Sequence, residues 1–269
     1  MTETQDTLLL TQNTPPTHYT PLTELSLLIM VGLTGAGKTT TLIALYKVGL
    51  VYSILPNRRE VTDQIIITSL QQATGQPLQP VNDRIERFRY TAEYRAQNPG
   101  GMSHALSRLA VNNRNLAPTL IFDGLRGLEE VEYAASYFPL ARFIILDAPD
   151  MVRLSRLLTR GDSFDQGGAP INDMVSNDSL RHELAKIADI EAIFSPMQLN
   201  QIAHLPQTHQ LEPVNIIKQT KVIVEERRNY DSHAAKDYLS QNLPAERVLL
   251  VDTAAHPPNE VATQMMRWL

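Results

Sequence analysis

Apolar residues fall along this chain in short unbroken runs, separated by stretches in which they recur at helical spacing. Residues 27–31, Leu-Leu-Ile-Met-Val, are five consecutive apolar positions, the mark of a strand buried on both faces. Comparable runs occur at 50–55, 119–122, 143–146 and 247–251. Between them, Leu42, Ile43 and Leu45 suit a helix over 39–46, and Val61, Ile65, Ile66 and Leu70 suit another that breaks at Gly75, Pro77 and Pro80. The charged stretch 82–97 and the stretch 102–115 read as two further helices. A helix is also expected from Pro149 to about Thr159, helical spacing resumes over about 172–202, and 259–268 predicts a terminal helix. Residues 204–213, with Pro206 and Pro213, read as a loop.

Strands alternating with helices need crossover connections, so the pattern predicts an α/β three-layer sandwich around a mostly parallel sheet. Ligands bind such sheets beyond the carboxyl ends of the strands. The expected organisation is one domain over 23–269, with a helical insertion at 56–117 and a Gly- and Asp-rich, lid-like segment at 160–171. Residues 1–22, rich in Thr, Gln and Pro, read as a flexible extension without the basic leader of a signal peptide.

Composition narrows the choice of partners. A chain of 269 residues with 43% hydrophobic and 20% charged residues can bury a sizeable core. Its net charge of -5 argues against a nucleic-acid backbone as the main partner. The absence of cysteine excludes disulfides, thiolate metal sites and a thiol nucleophile, and fits a cytoplasmic location. No apolar stretch approaches the roughly 20 residues that span a bilayer, so no membrane partner is expected.

The run at 27–31 leads directly into Gly32-Leu-Thr-Gly-Ala-Gly-Lys-Thr-Thr40, which carries the spacing GxxxxGK[ST] at Gly32, Gly37, Lys38 and Thr39. With a strand before it and a helix after it, this is the signature of a triphosphate-binding loop. The loop backbone at Gly32, Thr34, Gly35, Ala36 and Gly37, together with Thr40 in the first helical turn, is expected to cradle the phosphates at the positive end of the helix. Lys38 would reach the β- and γ-phosphates and Thr39 would give an oxygen to Mg²⁺.

Asp123 follows the apolar run at 119–122 and opens Asp-Gly-Leu-Arg-Gly127. A carboxylate at the tip of a strand beside the loop is the second expected metal contact, and Arg126 can face a phosphate. Arg156 and Arg160 are four apart and share a helical face, which suits delivery of positive charge to a transferring phosphoryl group. Arg58, Arg59 and Asp63, after the run at 50–55, are acceptor candidates: an arginine fork suits a phosphate and an aspartate orients a hydroxyl. His104, His204 and His209 lack metal-ligand spacing, and Glu225-Glu-Arg-Arg228 reads as a solvated helical face.

Taken in order along the chain, these stretches resemble the nucleoside monophosphate kinase superfamily, of which adenylate kinase is a member. Gly32 to Thr39 matches its phosphate loop, and Asp123-Gly-Leu-Arg126 is similar to a stretch whose arginine binds the acceptor phosphate. Arg156 to Arg160 is similar to the paired arginines leading into its lid, and Val251-Asp-Thr253 resembles the last strand near the adenine ring. The insertion at 56–117 does not match the adenylate kinase acceptor segment, and the stretch from 172 to 213 is longer than the family pattern.

The resemblance implies an ATP- and Mg²⁺-dependent kinase that moves the γ-phosphate to a small-molecule acceptor, with Lys38, Asp123, Arg126, Arg156 and Arg160 as its catalytic set. No Asn-Lys-x-Asp element is present for guanine. The alternative is a nucleotide-driven ATPase that regulates a protein partner, with the helical insertion as its docking surface.

Overall fold

β3 (Leu27–Val31) is buried along its whole length because it is the central strand of a sheet covered on both sides. The computed structural model describes residues 8–10, 18–112, 114, 116–159, 177–209 and 211–269. The chain divides into two compact units, Met1–Asp147 with Asn229–Leu269, and Ala148–Arg228.

The first unit contains, in chain order, β1 (Leu8–Leu10), β2 (Tyr19–Pro21), β3, α1 (Lys38–Lys47), β4 (Tyr52–Ile54), α2 (Arg58–Val61) and a π-helical stretch over Thr62–Ile67. It continues through α3 (Thr68–Ala73), α4 (Arg84–Gln97), α5 (Met102–Ser107), β5 (Leu109–Asn112), β6 (Thr119–Leu125), α6 (Leu128–Tyr137) and β7 (Arg142–Asp147). The chain returns to this unit later with α12 (Ser232–Asn242), β8 (Val248–Asp252) and α13 (Pro258–Trp268).

Five strands form one parallel sheet in the order β4-β6-β3-β7-β8. Side chains of β3 alternate between its two faces, as the strand period requires. Leu27, Ile29 and Val31 pack with Met102, Leu106, Val131, Ala134, Ala235 and Leu239 of α5, α6 and α12. Leu28 and Met30 pack with Leu42 and Leu45 of α1 and Val261 and Met265 of α13. The α/β class read from the sequence therefore holds, with helices on both faces of a parallel sheet. After β3 the chain crosses over one face to β4, and after β6 it crosses the other face to β7. The carboxyl ends of β3 and β6 thus lie where the winding reverses, the place where such sheets leave a crevice.

Several elements depart from the sequence reading. The expected helix over 102–115 stops at Ser107 and gives way to β5. β5 pairs antiparallel with both β1 and β2 in a second, three-stranded sheet. The segment at 1–22 read as flexible thus contributes two strands among its described residues, and Leu22 is fully buried. The π-helical stretch interrupts the helix expected around Val61 to Leu70 with a wider turn. α2 opens with a reciprocal cap: the Asn57 side chain accepts from the amides of Arg59 and Glu60, and the Glu60 carboxylate accepts from the Asn57 amide at 2.7 Å.

The second unit is helical among its described residues. It comprises α7 (Asp150–Thr159), α8 (Asn177–Ala185), α9 (Ile190–Ile193), α10 (Pro196–His209) and α11 (Pro213–Asn229) up to Arg228. Leu154, Leu158, Leu180, Leu184, Phe194, Ile202 and Ile223 form its core. α10 runs through Pro206 where a loop was expected; the proline has no N–H to donate to the carbonyl four residues earlier, so the helix lacks one bond there. Glu226, read from the sequence as solvated, is fully buried. It lies on the inward stripe of α11 and accepts a hydrogen bond from buried Arg153, whose other terminal nitrogen bonds Asp150. Asp150 also pairs with Arg227 at 3.0 Å.

Candidate functional site

The Gly32–Thr39 loop leaves the carboxyl end of β3 and feeds α1. Its first amide, Gly32 N–H, donates to Leu125 O of β6 at 3.0 Å. On the other side Gly32 presses against β7: a Cβ at this position would stand 2.6 Å from Leu146 O. No side chain fits there. Gly37 caps α1 with φ of 98°, in the left-handed region that favours glycine, and this turn brings the first free amides of the helix round to the loop. Ala36 N–H donates back to Leu33 O at 3.1 Å, closing the loop on itself.

Lys38 lies over this loop. Its ammonium donates to Gly32 O at 2.6 Å and to Leu33 O at 3.1 Å, so a positive charge is held above the main-chain ring and the amino end of α1. Thr39 and Thr40 are exposed on the first turn of α1, Thr34 is half-buried, and Gly35 and Ala36 are buried.

Asp123 does not end its strand, as the sequence suggested. β6 continues to Leu125, and the pairing with β3 slips between Ile29↔Phe122 and Val31↔Leu125, leaving an extra residue in β6. Such a bulge re-aims side chains at a sheet end. Asp123 is half-buried within it, and its carboxylate makes no hydrogen bond or ion pair among the described residues. A carboxylate and a threonine hydroxyl are both hard oxygen donors, the type that Mg²⁺ prefers, so the residues present fit that cation. Among the described residues no three His, Asp or Glu side chains form a preassembled metal cluster.

Beyond the bulge, three arginines surround one ring. The guanidinium carbons of Arg58, Arg95 and Arg126 lie 4.9, 5.5 and 5.6 Å from the centroid of buried Tyr230. Tyr230 also packs with Phe88 and with Leu33 of the loop, which ties this cluster to the Gly32–Thr39 segment. Glu130 is the main counter-charge. It accepts from Arg58 at 2.7 and 3.0 Å and from the Arg126 amide at 2.8 Å. Burial works against the charge on Arg58, but the Glu130 carboxylate and the Tyr230 hydroxyl outweigh it and hold its pKa above the ordinary arginine value.

Of the acceptor candidates, the structure brings Arg58 and Arg126 together around Tyr230, with Arg58 engaged by Glu130, Tyr230 and the Gly124 carbonyl. Arg58 is thus already bonded by protein groups, foremost Glu130, which lies 72 residues further along the chain. Arg59 and Asp63 belong to a different, more exposed group: they stand 3.9 Å apart, and Asp63 is gripped by Arg87. Arg87 bonds the carbonyls of Val81 and Arg59, each at 3.0 Å, and pins the π-helical stretch. Arg156 is half-buried on α7 of the second unit. Arg160 and the lid-like segment 160–171 lie outside the described residues.

Three residues of this cluster escaped the sequence reading, and a fourth, Thr253, entered it only as part of the last strand. Arg95 and Tyr230 complete the arginine cluster, Glu130 anchors it, and Thr253 at the end of β8 donates to Ala36 O of the loop at 2.9 Å. Glu130 carried one weak signal, a carboxylate four residues after Arg126 at the start of a helix. Two of the three histidines have local partners: His104 Nδ1 lies 3.0 Å from Tyr94 Oη, and His204 Nδ1 lies 2.7 Å from Asn200 O, while the His209 side chain lies outside the described residues.

A scan against protein-family models finds no match to this chain, and no curated protein matches it. Among the described residues no helix is long and apolar enough to cross a membrane.

Proposed function

We propose that this protein is an ATP- and Mg²⁺-dependent phosphotransferase that uses the Gly32–Thr39 segment as a phosphate loop and carries the γ-phosphate to a small-molecule acceptor. One observation carries the reading: the Lys38 ammonium lies over Gly32 O and Leu33 O, where the central parallel strand gives way to the amino end of α1. That arrangement concentrates positive potential and main-chain amides at one point, which is what a polyphosphate tail requires.

In this reading the amides of the loop and of the first turn of α1 hold the β- and γ-phosphates, and Lys38 moves from the loop carbonyls to the phosphate oxygens. Thr39 and Asp123 would hold Mg²⁺, which when bound neutralises phosphate charge. Arg126, next to the bulge in β6, faces the acceptor. An acceptor oxygen forms a bond to the γ-phosphorus as the bond from that phosphorus to the β,γ-bridging oxygen breaks, and ADP leaves with the electron pair. Most of the acceleration comes from alignment and charge neutralisation, so no dedicated base is needed when the acceptor is itself a phosphate.

Titration calorimetry with Mg²⁺ and a nonhydrolysable ATP analogue tests the donor side; absence of binding overturns the proposal. A coupled ADP-release assay across nucleotides, nucleosides and other phosphate acceptors tests the transfer. ADP release indifferent to every small molecule, but raised by a protein partner, would replace phosphotransfer with a regulatory ATPase.

A further inference from the structure

We infer that Thr253, far from it in sequence but beside it in space, is a positioning residue of the phosphate loop that aims its main chain at the polyphosphate. This rests on the phosphate-loop reading above. Thr253 is buried just past β8, 217 residues from the loop. Its amide donates to Asp147 O at 2.9 Å, and its hydroxyl lies 3.0 Å from the same oxygen and 2.9 Å from Ala36 O.

A hydroxyl has one proton to donate. Asp147 O already accepts the Thr253 amide, so the carbonyl that depends on the hydroxyl is that of Ala36. The Ala36–Gly37 peptide is a planar trans unit in which C=O and N–H point in opposite directions. Drawing the Ala36 carbonyl towards β8 therefore turns the Gly37 N–H the other way, at the residue where the backbone takes its left-handed turn into α1. The beginning of the loop is fixed separately, by Gly32 N–H on Leu125 O and by the close approach of Gly32 to Leu146 O. Thr253 is the corresponding tie on the second half of the loop, and it fixes a main-chain direction that Gly37 itself does not enforce.

The test compares Thr253→Val, which keeps the shape and removes the proton, with Thr253→Ser, which keeps the proton. Binding of Mg²⁺·ATP and of magnesium pyrophosphate alone is measured by calorimetry, beside the thermal midpoint. The expected result is a loss of about tenfold in affinity for both ligands in the valine variant, with the serine variant within about twofold of wild type because its hydroxyl still donates. Equal losses for the two ligands place the effect on the phosphates; a loss for ATP without one for pyrophosphate would overturn the inference. Thr253→Ala gives the same reading if the valine variant does not fold. Wild-type affinity in Val and Ala variants, or a serine variant as weak as valine, also overturns it while leaving the phosphate loop standing. A wild-type protein that binds neither ligand removes the phosphate-loop reading and this inference together.

Discussion

Arg58 and Tyr230, 172 residues apart in the chain, are joined twice: the guanidinium donates to the tyrosine hydroxyl at 2.8 Å and lies 4.9 Å from the centre of its ring. The same guanidinium forms a two-pronged pair with Glu130, whose side chain is only 2% exposed. Glu130→Ala leaves a buried positive charge without its partner and should destabilise the protein by about 3 to 5 kcal/mol. The double variant Arg58→Met, Glu130→Leu should recover most of that loss, because both charges are removed together. Urea midpoints for the two variants decide it, with an unchanged slope showing that the folded state is otherwise intact.

Lys38→Ala should leave the far-ultraviolet circular dichroism unchanged while lowering turnover by at least about 100-fold, the effect of deleting one charge aimed at a reacting group. Undiminished turnover would remove the loop from the chemistry.

Gly32→Ala places a methyl group 2.6 Å from the Leu146 carbonyl oxygen, a backbone atom that a rotamer change cannot move aside. Strain of about 1 to 3 kcal/mol is expected, seen as a lower thermal midpoint together with weaker Mg²⁺·ATP binding. A variant as stable as wild type would show that the approach of the loop to β7 is loose.

The pH dependence of stability has a contributor outside the site. Burial, and then the positive charge of Arg108, lower the pKa of His104 below 6.5. As pH falls through 6.5 towards the lowered value, the unfolded chain takes up a proton before the folded one does, so stability drops across that window. Stability is regained as pH rises back above 6.5. Urea midpoints measured between about pH 5 and pH 7 should therefore fall more steeply with acid in wild type than in His104→Asn; parallel curves would contradict this.

The parts of the fold legible in the sequence are those whose signal is local. Leu27–Val31 is apolar at every position because both faces of β3 are covered, and the glycines and lysine after it are adjacent in the chain. What escaped depends on partners far along the sequence. Leu109–Asn112 carries no turn signal and was read as helix, since its strand character comes from pairing with residues 8–10 and 19–21. Arg58 has the chemistry of a phosphate ligand, and its bonds to Glu130 and Tyr230 come from residues far along the chain. Glu226 sits in a charged run that looks solvated until Arg153 is found opposite it. Thr253 is a threonine after an apolar run, with nothing nearby to announce a bond to Ala36.

That last bond bears on the order of events during biosynthesis. The ribosome releases Ala36 well ahead of Thr253, 217 positions later, and the strand beside which Thr253 lies is the final one of the parallel sheet to emerge. A nascent chain still lacking β8 carries every glycine and the lysine of the Gly32–Thr39 loop, yet lacks the hydroxyl that bonds the Ala36 carbonyl. On the phosphate-loop proposal, full affinity for a triphosphate would then be reached only once the last strand of the parallel sheet has been made.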